Sequence, residues 1–427
     1  MSDQEKQTTL EAIQAAESKL MLQTYQRNPL LFVSGHGVYL RDERGDEYLD
    51  LLSGIGVSAL GYAHSVIEAT IVAQSKKLLH TSNLYYHKHT AELALRLTEI
   101  SGMDRVFFCN SGTEAWEAAL KLARAHAGLL RSEGKKIGTK ILAVEQSFHG
   151  RTIGAVSTTY KEKYREPFAP VMPGVEFVRF DDLDDLRAKF SDDVCAICIE
   201  AVQGEGGVRP ISKEFFAAAR ELCNSTGALL LADEIQSGLG RTGEWFAYQH
   251  YGVQPDVTTL AKPIANGLPM GAMLCTEEAA RAITPGMHGT TFGGGPLVCA
   301  VAIAVIDTMK QTNLLAHVRE VGAYFKQRLE WLRRQHDCIT AVRGLGLMLG
   351  IEIDSEELAK DAASEMLKQK IIVNRTSETV LRFLPPYILE RTHVDQTIAA
   401  LDGVLSNLTS TGATLAGAAS TGEDAHG

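Results

Sequence analysis

The sequence predicts an α/β fold, a large and mostly parallel sheet covered by helices on both faces, with a smaller α+β unit assembled from the two chain ends. Three observations carry this. Between about residues 66 and 325, apolar strand-like runs alternate with helical segments, the rhythm of a sheet whose strands are joined by crossover helices. Two of these runs, 228–232 and 256–261, end in Asp233 and Lys262, and ligand crevices lie outside the carboxyl ends of such strands. Outside that span both chain ends carry short strands and helical stretches without the same alternation.

Taken in order, residues 8–27 have helical spacing without strong caps. The runs 32–40 and 47–50 alternate like a hairpin around Arg44-Gly45-Asp46. Strand-like runs at 106–108, 141–144, 175–178, 194–199, 228–232, 257–261 and 272–274 supply the large sheet. Helical stretches at 314–335 and 356–369, with short strands near 347–352 and 380–383, supply the C-terminal unit. The expected division is 1–65 for the N-terminal part of the small domain, 66–325 for the large domain and 326–408 for the C-terminal part of the small domain. Residues 409–427 are small, polar and free of aromatics, the composition of a disordered tail.

With 427 residues, 45% of them hydrophobic, the chain can bury a core large enough for two structural domains. A net charge of −10 and a pI near 5.8 offer no basic stripe for nucleic acid or an anionic membrane. The start lacks the basic and apolar stretches of a secretory signal, and the longest apolar run, 296–306, is too short to span a bilayer. A cytoplasmic protein is expected. Seven cysteines without framework spacing fit reduced thiols. Cys195 and Cys198 lie in one strand-like run and read as core, and His80, His87 and His89 read as polar loop or helix residues, so no metal is expected.

The chemistry concentrates in a few segments. A lysine at a strand end can form a Schiff base with an aldehyde, and a carboxylate can keep a pyridine nitrogen protonated, so Lys262 and Asp233 suit a pyridoxal phosphate site. The plainer reading is a structural ion pair. Asn110-Ser111-Gly112-Thr113-Glu114, between a strand and a helix, forms either an anion site at a helix N-terminus or an ordinary cap by Ser111 or Thr113. Gly238-Leu239-Gly240-Arg241-Thr242-Gly243 matches G-x-G-x-x-G, but Glu234-Ile235-Gln236-Ser237 intervene and no long helix can follow. It reads as a flexible loop beside the ligand.

Phe148-His149-Gly150-Arg151-Thr152 offers a ring to stack on a heteroaromatic and a guanidinium to clamp a carboxylate, or else a core Phe and a solvated Arg. His288-Gly289-Thr290-Thr291-Phe292-Gly293-Gly294-Gly295 suits backbone approach to a phosphate, or is a plain surface loop. Arg382 is a charge within an apolar strand and needs an anionic partner, from the protein or from a substrate.

Together with residues 54–61, 80–86, 203–207, 259–262 and 267–272, these segments resemble the class III aminotransferases of pyridoxal phosphate fold type I, most closely the acetylornithine aminotransferases. The resemblance runs from about Asn28 to Leu405. It implies pyridoxal 5'-phosphate as cofactor, with Lys262 carrying the Schiff base and moving the proton, and Asp233 keeping the ring nitrogen protonated. It further implies that Gln236 bonds the phenolic oxygen and that Phe148 and Ile235 sandwich the ring. Gly112 and Thr113, with Ser111 nearby, would hold the phosphate, and Thr291 would reach it from the neighbouring subunit of a homodimer with shared active sites.

Arg382 and Arg151 match the two carboxylate anchors, Glu205 a residue that neutralises an arginine, Thr290 a substrate-side residue, and Glu200 a supporting one. The implied reaction passes the δ-amino group of N2-acetyl-L-ornithine to 2-oxoglutarate, giving N-acetyl-L-glutamate 5-semialdehyde and L-glutamate, a step of arginine biosynthesis. Pro263-Ile264-Ala265-Asn266 and Gly294-Gly295 depart from the pattern and leave ornithine, succinylornithine and 4-aminobutyrate open as donors. The rivals from other classes are a nicotinamide-dependent dehydrogenase using the loop 238–243, and a non-catalytic fold-type-I binding protein. Lys262, Asp233 and Arg382 together weigh against the latter.

Overall fold

The structure, a computed structural model, describes residues 9–420, with 411–420 as backbone only. The first helix, Leu10–Leu20, is shorter than its periodicity suggested and is capped by Thr9, whose hydroxyl accepts from the Ala12 N–H. Strands β1 (Phe32–His36), β2 (Tyr39–Asp42) and β3 (Glu47–Asp50) form an antiparallel meander, with Arg41 opposite Glu47 across the expected turn.

The central sheet uses β4 (Arg105–Cys109), β5 (Lys140–Val144), β6 (Val175–Val178) and β7 (Val194–Ile199). After the two-residue pair β8 (Val202–Gln203) and β9 (Arg209–Pro210) come β10 (Leu229–Asp233), β11 (Val257–Leu260) and β12 (Gly271–Cys275). The seven strands lie in the order β4-β12-β11-β10-β7-β5-β6, and only β12 runs antiparallel to its neighbours. Strands β7 and β10 are buried along their whole length, which is why they read as unbroken apolar runs. Cys195 and Cys198 are core residues of β7.

The helix Gly112–Ser132 covers one face with a stripe of small and apolar residues, and Pro296–Gln311, which contains the longest apolar run, packs between Ser65–Ser75 and Lys88–Ser101. No single helix among the described residues is long and apolar enough to cross a membrane.

Strands β13 (Ile339–Leu345), β14 (Met348–Ile353), β16 (Asn374–Thr376) and β17 (Val380–Phe383) make an antiparallel sheet in the order β13-β14-β17-β16. Strand β15 (Ile371–Ile372) joins the N-terminal meander instead, parallel to β3 with Ile371 opposite Leu49. The helix Leu314–Gln335 packs on β13, β14 and the last helix, so it runs unbroken through the division expected at 325/326. The tail expected from Thr409 is helical as far as Ser420, as a continuation of the helix Arg391–Ser420, although its Thr, Ser and Gly residues are weak helix formers. Residues 421–427 of that tail, and residues 1–8, lie outside the described residues.

Candidate active site

Lys262 opens a short turn, Lys262–Ala265, just past β11, and Asp233 is the last residue of β10. These strands run parallel with Asp233 opposite Thr259, so both side chains leave the sheet at one edge. They line a cavity of about 220 Å³ that also takes in Gly112, Thr113, Phe148, Ile235, Gln236, Glu200 and Glu205. The plain ion-pair reading fails, since no salt bridge joins Asp233 to Lys262 among the described residues. Asp233 Oδ2 accepts instead from His149 Nδ1 at 2.7 Å, and Oδ1 accepts from the Ile235 N–H at 3.1 Å and Thr259 Oγ1 at 3.3 Å.

Burial holds the Lys262 ammonium down to about 8, against the pull of Glu205 in the opposite direction. Burial likewise pushes the Glu200 carboxyl up to about 7, with Asp233 adding to it. The two Glu200 oxygens accept from the Phe148 N–H at 2.9 Å and the Gly204 N–H at 3.0 Å, tying two cavity loops together.

At the cavity's other end the helix Gly112–Ser132 points its first N–H groups inward, where no helical carbonyl can satisfy them. Ser111 is the cap, its hydroxyl accepting from the Glu114 N–H at 3.3 Å, and it does not line the cavity. A Cβ on Gly112 would stand 2.9 Å from the Ile235 side chain, so the backbone approach there is possible only for glycine. Thr113 Oγ1 shares a hydrogen bond with Thr152 Oγ1 at 2.8 Å.

Arg382, 1% exposed on β17, finds the anionic partner its strand required. Its Nη1 donates to Glu205 Oε1 at 2.6 Å and to Gln236 Oε1 at 3.1 Å, and its Nε donates to Asn374 Oδ1 at 3.1 Å. Burial pushes the Glu205 carboxyl up, but Arg382 and Lys262 outweigh it and hold the group below its ordinary range. A guanidinium only donates, so Gln236 must turn its carbonyl oxygen toward Arg382, which leaves its amide N–H₂ for the cavity.

Other expected residues stand apart. Arg151 lies with its guanidinium carbon 3.8 Å above the Tyr164 ring, outside the cavity wall. Tyr164, Lys161 and Lys163 wall a polar hollow of about 190 Å³ that shares Phe148 and Glu205 with the cavity. Thr290 Oγ1 accepts from Asn110 Nδ2 at 3.2 Å, and Thr291 is exposed beside a separate small hollow with Phe292. The loop 238–243 does not lie open beside the ligand cavity. It is buried, because Arg241 Nη1 donates to the Leu347 carbonyl at 3.1 Å and to the Pro385 carbonyl at 2.5 Å, with its guanidinium over Tyr387. His149, which carried no role in the sequence reading, is the residue on Asp233. The only signal for it was its place in the Phe148 to Thr152 segment.

A model of the class III aminotransferase family matches residues 21–405. The chain belongs to the class III aminotransferases. An acetylornithine aminotransferase of Methanocaldococcus jannaschii is 43% identical over 392 residues, covering 92% of this chain and 97% of that protein. One from Aquifex aeolicus is 44% identical over 386 residues, covering 90% and 99%. Among solved structures, an ornithine aminotransferase from Toxoplasma gondii aligns with a TM-score of 0.89 at 31% identity, over 94% of this chain and 96% of that one.

The cofactor of this class of aminotransferase is pyridoxal phosphate, and the cavity suits it. A helix N-terminus with a glycine pressed against Ile235 offers N–H groups to a phosphate, a buried carboxylate faces the opposite end, and a depressed lysine stands between. The lysine gives a direct pH expectation. Only the neutral amine attacks an aldehyde, and with the amine held at about 8 the rate at which the cofactor-free chain captures added pyridoxal phosphate should rise through pH 8 and then level off. A rate that climbs through the whole alkaline range would mean an ordinary, solvated lysine.

Proposed function

We propose that this aminotransferase moves the δ-amino group of N2-acetyl-L-ornithine to 2-oxoglutarate, producing N-acetyl-L-glutamate 5-semialdehyde and L-glutamate, in the cytoplasm and in service of arginine biosynthesis. The observation that carries the reading is the Arg382–Glu205 pair at 2.6 Å. Glutamate brings a carboxylate beside its reacting carbon, whereas the ω-carbon of an acylated ornithine brings none. An arginine that can be neutralised by its own glutamate meets both demands with one pocket. The identity of 41–44% to acetylornithine aminotransferases over at least 90% of the chain supports the same donor. Ornithine is the second reading, favoured by the Toxoplasma neighbour at 31% identity.

When bound, pyridoxal phosphate supplies an electron-withdrawing ring that accepts the pair left as the donor carbon loses its proton. Gly112, Thr113 and the helix N-terminus would hold the phosphate, Phe148 and Ile235 stand on the cavity wall where they could flank the ring, and Gln236 would donate to its phenolic oxygen. Asp233 would keep the ring nitrogen protonated. Lys262 takes the proton from the carbon bearing the amine, as a buried amine near pH 8 can. Arg382 would grip the α-carboxylate of glutamate, and Arg151, stacked on Tyr164 of the outer hollow, would hold the far carboxylate. Thr291 completes the phosphate site of a second copy in a homodimer, which accounts for its exposure and its distance from the cavity of its own chain.

A panel of acetylornithine, ornithine, succinylornithine and 4-aminobutyrate with 2-oxoglutarate decides the donor. Acetylornithine should give the highest kcat/KM, and a clear preference for ornithine would replace the first reading by the second. Asp233→Asn should slow proton removal on the order of a hundredfold or more, the usual cost of losing a buried electrostatic contact to developing charge. Wild-type half-reaction rates in that variant would refute the ring-nitrogen role.

A further inference from the structure

We propose that Tyr164 is a positioning residue for Arg151, holding the guanidinium on its ring so that the enzyme favours substrates with a carboxylate at their far end. The proposal rests on the reading of Arg151 given above and goes beyond it by naming what aims that arginine. Arg151 is exposed, and among the described residues it has neither a hydrogen bond nor an ion pair. Its guanidinium carbon nevertheless lies 3.8 Å from the centre of the Tyr164 ring and 5.5 Å from that of Phe148.

A solvated arginine samples many rotamers, and that freedom is lost when it grips a carboxylate. Here the ring removes it beforehand. The cation sits on the negative face of the aromatic ring, whereas the guanidinium donors lie in their own plane, so the contact fixes a direction without using a donor. Tyr164 also meets Phe148 edge-to-face, ring centres 6.0 Å apart and planes at 84°. One residue thus joins the arginine to a ring on the cavity wall.

Tyr164 is a fixed platform because the segment carrying it is tied down on both sides of the short turn Glu162–Tyr164. Before the turn, the Tyr160 N–H donates to the Ser147 carbonyl at 3.0 Å, and the Tyr160 ring stands edge-to-face on Phe177 of β6 with centres 5.3 Å apart. After it, Arg165 Nη2 donates to the Tyr160 carbonyl at 2.9 Å, with its guanidinium carbon 4.8 Å from the Phe177 ring centre. The hollow that Tyr164 walls favours an anion. Arg375 is paired there with Glu356 and Glu205 with Arg382, which leaves Lys161 and Lys163 against Glu378.

The holoenzyme is tested with acetylornithine and with N-acetylputrescine, the same donor without its far carboxylate. The readout is the ratio of the second-order rate constants with which the two amines convert the bound cofactor's visible band. Tyr164→Leu should lower that ratio about three- to tenfold, with N-acetylputrescine itself within about twofold of the parent, as loss of a cation–π contact to a substrate-binding arginine would do. The KM for 2-oxoglutarate should rise by a similar factor with kcat little changed. Tyr164→Phe, which keeps the ring and loses the hydroxyl, should restore the parent ratio.

An unchanged ratio in Tyr164→Leu, or equal losses with both amines, would overturn the proposal. So would a loss in Tyr164→Phe as large as in Tyr164→Leu, because the hydroxyl and not the ring face would then be responsible. If N-acetylputrescine does not react measurably, the 2-oxoglutarate KM decides, and if Tyr164→Leu does not fold, Tyr164→Met is read in its place. Arg151→Ala is the reference. If that variant leaves the ratio unmoved, the reading of Arg151 fails, whereas a fall there without one in Tyr164→Leu defeats only the role of Tyr164.

Discussion

Lys262→Ala should reduce transamination on the order of a thousandfold or more, since the proposed mechanism makes one group both the covalent attachment and the proton carrier. The substitution removes a side chain whose amine burial holds at about 8, and neighbouring Glu200 and Glu205, both cavity residues, are acceptors that cannot form the covalent link. Folding should survive, because the lysine's backbone sits in a short turn after β11 and its side chain lines a cavity instead of filling the core. Pyridoxal phosphate should still bind through the helix N-terminus at Gly112, but without the visible band of the lysine-bound form. Spectra and stopped-flow half-reactions on the purified variant check both statements. Turnover near that of the parent would place the chemistry elsewhere.

The second large effect should be asymmetric. Arg382→Ala is expected to damage the glutamate half-reaction far more than the acetylornithine half-reaction, because the arginine is neutralised by Glu205 when no carboxylate is present beside the reacting carbon. Removing one partner of a buried, hydrogen-bonded charge pair costs roughly 2–5 kcal/mol, much of it from the charge left behind. Part of that cost falls on Glu205, whose low pKa depends on Arg382, and on Gln236, whose carbonyl oxygen would lose its donor. Arg151→Ala, by contrast, should damage both half-reactions, since each substrate has a carboxylate at the far end. Single-turnover spectroscopy with each substrate separates the cases, and equal losses in Arg382→Ala would show that the switch does not operate.

The strands of the large sheet were legible because parallel strands buried on both faces are apolar throughout, as in β7 and β10. Direction was not, since Gly271–Cys275 reads the same whether β12 runs with its neighbours or against them. Lys262, Asp233 and Arg382 stood out as polar groups in apolar surroundings. His149 did not, because its partner is distant in the chain and the two meet only through the adjacency of β5, β7 and β10. The loop 238–243 misled for a related reason. Its glycines suggested mobility, but the carbonyls that capture Arg241 belong to Leu347 and Pro385, far along the sequence. The helical extension past Thr409 was not legible, because its Thr, Ser and Gly residues are weak helix formers and the helix there continues one begun at Arg391.

The pairing of β3 with β15 also constrains the order in which the molecule can be completed during its synthesis. Asp50 leaves the ribosome early, yet its strand partner Ile372 follows only after about 320 further residues, roughly a quarter of a minute to a minute at ordinary translation rates. Throughout that interval the edge of β3 presents unpaired N–H and carbonyl groups, the kind of edge on which chains aggregate. The edge is covered only once residues 371 and 372 have emerged and can pair with Leu49 and Asp50.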